Sequence, residues 1–237
     1  PPPALDNKKA LFYRGLNIAS VNIPVPPDTS GAIRRCLFPS PRNMSSTSSP
    51  TPTAQVVVVG SFNVDHVWRC ETLPQPGATF SGEYASGPGG KGFNQVTAAA
   101  RSGARAAFVC ALGNDLGGHH ARTLATADGI DLRDQTASVA TGSAGIFVDA
   151  QGRNSIVVGP GANAVLSADF IDAQAAAIAE AAVTLAQLES PLEAVAAALR
   201  LARESGRIAM LNPAPANVAL PRELLAQADI LTSNETE

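Results

Sequence analysis

Gly87-Pro88-Gly89-Gly90-Lys91-Gly92-Phe93-Asn94-Gln95 sets four glycines around one lysine, and a helical pattern begins within it. The spacing predicts a helix over 93–102, with Val96, Ala99, Ala100 and Gly103 at i, i+3, i+4 and i+7 and Gly103 doubling as the residue after the C-cap. Glycine lets the backbone approach a ligand closely. A helix N-terminus leaves its first N–H groups unpaired and carries partial positive charge. The two together make a nest of donors for a phosphate or a hydroxyl-rich ligand. The competing reading is a flexible loop in front of a helix.

Two familiar phosphate motifs do not fit. A P-loop requires Ser or Thr after its lysine and a glycine six residues before it, whereas Gly92 follows Lys91 and Ala85 stands in the glycine's place. Gly87, Gly89 and Gly92 match G-x-G-x-x-G literally, but the dinucleotide fingerprint must leave a buried parallel strand. The preceding Thr79-Phe80-Ser81-Gly82-Glu83-Tyr84 is polar and broken by glycine. Pro88 also removes one N–H from any phosphate cradle.

The 237 residues suffice for one substantial α/β domain with a real core. A formal net charge of −3 points away from nucleic-acid and membrane partners. Cys36, Cys70 and Cys110 are odd in number and far apart, which gives no disulfide framework and no zinc set, and fits a reducing compartment such as the cytoplasm. Residues 1–54 read as a disordered Pro/Ser-rich extension, since ten of the 18 prolines fall there. Met44 is the first methionine and a candidate start. The rival reading is a transit peptide around Arg34, Arg35 and Arg42.

From residue 55 onward strands and helices alternate. Gln55–Gly60 is a β-branched run expected as a buried strand, followed by Asn63 and Asp65, two apart on one side of an extended chain. That pair is either a grip for two hydroxyls or an Asx turn. Further strands are expected over 105–112, 183–188, 207–211 and 230–232, and helices over 167–179, 190–205 and 221–227. In this scheme Ser190 is an N-cap and Pro191 the first helical residue. Residues 73–86 read as a loop with short, half-exposed strands. Gly145–Asp149 and Asn154–Val158 flank Ala150-Gln151-Gly152-Arg153 as a hairpin, which is either a lid or an ordinary edge extension. Cys110 is expected in the core, and His119 and His120, adjacent on a helix, at the surface.

The pattern implies an α/β fold, a three-layer, mostly parallel sheet with helices on both faces. Ligands of such sheets lie beyond the carboxyl ends of the strands. Polar residues stand at five of those exits: Asn63 and Asp65, Asp115, Glu189, Asn212 and Asn234. Glu189 is either a site residue or a cap for the helix after it.

In this order the residues resemble the ribokinase-like carbohydrate kinases, the PfkB family, over about residues 55–237. The resemblance rests on Gly60-Ser61-x-Asn63-x-Asp65, on Gly89-Gly90-Lys91-Gly92-x-Asn94-Gln95, on Gln187-Leu188-Glu189-Ser190-Pro191, on Asn212-Pro213-Ala214-Pro215-Ala216 and on Asn234-Glu235-Thr236-Glu237. It implies phosphoryl transfer from ATP to the 5-hydroxyl of D-ribose, with Mg2+ and with K+ as activator. It implies a substrate site of Asn63, Val64, Asp65, Gly89, Gly90, Lys91, Gly92, Phe93, Asn94 and Glu189. Asn234 would meet the nucleotide, and Glu237 the magnesium–phosphate network. It also implies a small β lid with strands within 64–86 and 143–160, and a possible homodimer through that lid. Phe93 and Pro88 depart from the family pattern beside the sugar loop. The family's second motif, Asp-Thr-x-Gly-Ala-Gly-Asp with the catalytic base, does not occur in this sequence. The domain is therefore expected to be incomplete at its C-terminal side and this chain inactive alone. The alternatives are another sugar or nucleoside kinase of the family, or a sugar-binding module without catalysis.

Overall fold

The computed structural model describes residues 56–216 and 219–235. The expected extension over residues 1–54 and the role expected of Glu237 lie outside them. In chain order the elements begin with β1 (Val56–Val59), β2 (Asn63–Arg69), β3 (Glu83–Gly89), α1 (Lys91–Arg101), β4 (Ala106–Gly113), α2 (Leu116–Ala127) and β5 (Asp131–Ala137). A hairpin of β6 (Gly142–Val148) and β7 (Asn154–Gly159) follows, then a 3-10 turn over Gly161–Val165. The remainder is α3 (Ala168–Asp172), α4 (Ala175–Glu180), β8 (Val183–Gln187), α5 (Leu192–Glu204), β9 (Ile208–Asn212), α6 (Arg222–Leu225) and β10 (Ile230–Leu231).

Six strands form one sheet in the order β10-β9-β8-β1-β4-β5, with every pairing parallel. β1 lies centrally, and its valines explain why. Val57 and Val59 face one layer and Val58 the other, all fully buried. A strand covered on both faces needs a continuous apolar run rather than alternation. On the first face Val57 and Val59 join Ile171 of α3, Ile178 of α4 and the stripe Ala194, Val195, Ala198, Leu199 and Ala202 of α5. On the second, Val58 joins Phe93 and Val96 of α1, Ala121 and Ala125 of α2, and Phe108, Cys110 and Leu112 of β4. This is the three-layer α/β architecture expected. Cys110 is buried and His119 and His120 are exposed.

A second, four-stranded sheet has the order β3-β2-β6-β7. β2 and β6 run parallel, and the outer strands β3 and β7 run antiparallel to their neighbours. The hairpin therefore extends this small sheet rather than the large one. The strands reach slightly past the expected limits, to Asn63 and Gly89 on one side and Gly142 on the other.

Of the two readings of Asn63 and Asp65 the extended one holds, because β3 and β6 supply both edges of β2. Three expectations need correction. β5 had no counterpart in the sequence reading. Asp131-Leu132-Arg133-Asp134-Gln135 has no apolar run, and an edge strand pairing only with β4 needs none. The helix expected over 167–179 is two short ones broken at 173–174, although Ser167 does cap the first by accepting from the Phe170 N–H at 3.1 Å. Pro191, not Ser190, stands at the N-cap of α5, and the buried Ser190 hydroxyl has no hydrogen-bond partner. Among the described residues no helix is long and apolar enough to cross a membrane.

Candidate functional site

All carboxyl ends of the parallel strands lie along one edge of the large sheet. The chain leaves β1 for β4 on one side and later returns to β8 on the other. That reversal opens a crevice beyond the end of β1, where such sheets hold ligands. Three segments meet there: Gly60-Ser61 after β1, the N-terminus of α1, and Glu189 after β8.

Glu189 binds the three together. Its Oε2 accepts the Ser61 hydroxyl at 2.5 Å and the Lys91 backbone N–H at 2.9 Å. It is a capping carboxylate, but of α1 rather than of the helix that follows it in sequence. The N-cap residue Gly90 has no side chain to offer, so the cap comes from 98 residues away. Oε1 of Glu189 accepts no hydrogen bond among the described residues.

The glycines of the quoted stretch are required by distance. Gly90 has φ +89°, and a Cβ there would lie 2.7 Å from the Ser61 carbonyl oxygen. A Cβ on Gly92 would lie 2.6 Å from the Ser61 nitrogen. The helix thus starts in direct contact with the β1 exit, and the Phe93 N–H donates to the Ser61 carbonyl at 3.0 Å. The Phe93 ring turns into the core, edge-on to Phe62 and Phe108 at centroid distances of 5.0 and 5.9 Å. The departure from the family pattern at this position is absorbed by packing on the far side of the helix.

Asn63 and Asp65 lie on one face of β2, with Val64 on the other, where it packs toward the second core. Asn63 is held by the Asn163 amide, whose Nδ2 donates to its Oδ1 at 2.9 Å and to the Phe62 carbonyl at 3.0 Å. Asp65 lies between Gly87 and Ala144 in the small sheet, and its carboxylate occupies the space a side chain on Gly89 would fill. It makes no hydrogen bond among the described residues. Burial, then the nearby Glu189 carboxylate, push its pKa up to about 6 from 3.8, against a smaller opposing pull from His66. The site therefore presents an unsatisfied half-buried carboxyl, a free oxygen of Glu189, the amine of Lys91 and the start of a helix. Asn94 is exposed one turn in, and Asn234 is exposed beyond β10 on the same edge of the sheet.

Residues 60–65, 89–93 and Glu189 thus come together. Sequence reading passed over two that organise them. Ser61 lies within the quoted motif without marking its bond to Glu189. Asn163 gave no local signal, because its partners are about 100 residues upstream.

A separate cleft of about 340 Å3 beyond β4 and β5 is lined by Asn114, Asp115, Ala137, Ser138, Val139 and Ala140. Asp115 is fully engaged there. It accepts from the Gly118 N–H at 2.8 Å and from the Thr141 N–H and hydroxyl at 2.8 and 2.6 Å. Burial pushes its carboxyl up, but these bonds outweigh it and hold the pKa below the ordinary value. Its work is to cap α2 and fasten the 138–141 loop.

Comparison with known proteins identifies the family. A family profile described as pfkB family carbohydrate kinase matches residues 53–237. The ribokinase of Haemophilus influenzae is 41% identical over 185 residues, covering 77% of this chain and 60% of that protein. The bifunctional ribokinase/ribose-5-phosphate isomerase A of Fructilactobacillus sanfranciscensis is 45% identical over 187 residues, covering 77% of this chain and 34% of that one. The structure of Arabidopsis thaliana ribokinase complexed with ribose and ATP superposes with a TM-score of 0.67 at 30% identity, covering 78% of this chain and 61% of that one. The chain spans about 60% of the length of the Haemophilus relative.

Proposed function

Because the chain belongs to the pfkB family of carbohydrate kinases, we propose that the protein is a ribokinase, transferring the γ-phosphoryl of ATP to the 5-hydroxyl of D-ribose. The observation that carries this reading is Asp65, a carboxyl raised to about 6 that has no hydrogen-bond donor of its own. An ionised carboxylate is acceptor-only, so its natural complement is a pair of hydroxyl donors. The ribokinase relatives and the Arabidopsis ribokinase structure complexed with ribose and ATP support the choice of substrates.

In this proposal Asp65 and Asn63 take sugar hydroxyls from the small sheet, and Oε1 of Glu189 takes another from the large one. The Lys91 amine and the N–H group of Gly90 offer donors from the start of α1. Gly89 keeps the backbone clear for Asp65. Val64, Phe93 and Asn94 contribute as neighbours of these groups, the first two through their backbone. The small sheet acts as a lid over the sugar. Asn234 meets the nucleotide, and Glu237, outside the described residues, belongs to the magnesium–phosphate network.

Phosphoryl transfer asks a protein mainly for positioning and charge stabilisation. Ser61, Glu189 and the glycines supply positioning here, because they lock the β1 exit to α1. Among the described residues no three His, Cys, Asp or Glu side chains converge to hold a metal. Mg2+ would accompany the ATP phosphates, neutralising their charge, and K+ is assigned outside the described residues. The base for the 5-hydroxyl is likewise assigned outside them, since Asp65 and Glu189 are committed to the sugar. A cytoplasmic location belongs to this reading. So does a homodimer through the small sheet, supported by the exposure of Tyr84, Ile156, Val157 and Val158.

The test is a coupled assay of the full-length protein with ATP, magnesium and potassium across D-ribose, 2-deoxyribose, fructose and adenosine. Ribose 5-phosphate should form with the highest kcat/KM. A clear preference for another acceptor would reassign the substrate, and no turnover on any would refute a kinase. Light scattering of the same sample reads the dimer.

A further inference from the structure

Three side-chain amides run head to tail from the sugar loop to the last strand. Gln187 Nε2 donates to Gln95 Oε1 at 2.5 Å, Gln95 Nε2 donates to Asn212 Oδ1 at 3.2 Å, and Asn212 Nδ2 donates to the Thr232 carbonyl at 2.7 Å. Each link points the same way. At the head, the buried Gln187 Oε1 has no hydrogen-bond partner and fills the space a side chain on Gly60 would need. At the tail, Thr232 stands two residues before Asn234. β10 is only two residues long and pairs with β9 alone, and bonds at its exit include the Thr232 N–H to the Leu211 carbonyl at 3.0 Å and the Asn212 amide to the Thr232 carbonyl.

Gln95 lies at the centre of this chain. It sits one turn into α1, four residues after Lys91, and bridges the ends of β8 and β9. The task needs a side chain that accepts on one side and donates on the other, and a primary amide does both. A carboxylate would break the donor half, and an apolar residue both halves. Neutral amides carry no net charge into the partly buried gap between α1 and the sheet, so desolvation costs less there than for an ion pair.

We propose that Gln95 is a positioning residue that fixes the 232–235 loop against α1. The helix whose N-terminus holds the sugar would then also set the nucleotide side of the site. The consequence for nucleotide rests on the function proposed above; the positional coupling does not.

Two substitutions in the full-length protein test it. Gln95→Glu keeps the acceptor for Gln187 but opposes Asn212 Oδ1, which turns the Asn212 amide away from Thr232. Asn212→Ala removes the last link directly. Hydrogen exchange over 229–235 should accelerate at least tenfold in each single variant, and no further in the double, as expected of residues in one network. By calorimetry, ATP affinity should fall at least fivefold in Gln95→Glu while ribose affinity stays within threefold. Should Gln95→Glu not fold, Gln95→Met severs the same link without charge. Exchange within twofold of the parent, additive effects in the double variant, or an equal loss of both ligands would overturn the proposal. If the parent protein does not phosphorylate ribose, the proposed function fails, while hydrogen exchange still judges the coupling.

Discussion

Asp65→Asn should make the protein more stable while impairing its site. Asp65 pays for its position near Glu189 with a pKa raised from 3.8 to about 6. Taken at face value that displacement is worth about 3 kcal/mol. The side chain keeps contact with solvent, and screening reduces the figure to about 1–2 kcal/mol. The sign follows from proton linkage. The folded protein holds the Asp65 proton more tightly than the unfolded chain, so the penalty is full above pH 6. It shrinks as pH falls from 6 toward 3.8 and vanishes below that. Asparagine carries no such penalty at any pH. Urea unfolding of the full-length protein at pH 7.5 should therefore show Asp65→Asn more stable by about 1–2 kcal/mol, with Tm higher by roughly 2–6 °C. At pH 4.5 about a third of the advantage should remain. Ribose affinity should fall at least tenfold, because the amide replaces one acceptor oxygen by a donor. A variant no more stable than the parent at pH 7.5, or a gain that persists undiminished at pH 4.5, would refute the account of Asp65.

Glu189→Gln removes the like charge beside Asp65. The Asp65 pKa should fall, and the pH below which ribose binding weakens, near 6 in the parent, should move down in a calorimetric pH series. Gly92→Ala puts a Cβ 2.6 Å from the Ser61 nitrogen and 2.8 Å from the Gly60 carbonyl carbon, backbone atoms that cannot yield. Unfolding should show a loss of about 1–3 kcal/mol, together with weaker sugar binding. Asp115→Ala removes the cap of α2 and its ties to Thr141. It should cost about 1–2 kcal/mol by urea unfolding while leaving ribose affinity within twofold.

The parallel sheet was legible because a strand buried on both faces must be apolar throughout, and Val56–Val59 is. Asn63, Asp65 and the glycines were legible because they crowd into short motifs at strand exits. β5 was hidden because an edge strand has one covered side and tolerates Asp131, Arg133 and Asp134. The role of Glu189 was half visible. A carboxylate before a helix reads as that helix's cap, and nothing local shows that it instead serves a helix starting at Lys91. Ser190-Pro191 looked like a capping pair because local chemistry allows it. Packing around α5 buries the Ser190 hydroxyl instead. The head-to-tail amides were equally silent, since Gln95, Gln187 and Asn212 meet only when α1 lies across the ends of β8 and β9.

The small sheet has a mechanical property that follows from its register. Asn63 opens β2 opposite Gly89, which closes β3, and beside Gly142, which opens β6, while Gly159 at the end of β7 faces Ser143. All four points where the chain enters or leaves this sheet thus stand at one end of it, Asn63, Gly89 and Gly142 on one rung and Gly159 one residue along, three of the four being glycines. The sheet is attached like a cantilever. A swing about that end would part none of its internal ladder bonds, and that end runs through Asn63 and Gly89, beside the carboxyl of Asp65. With Asp65 gripping the sugar as proposed, pivot and grip would be the same few residues, and whatever clamps Asp65 would also latch the hinge.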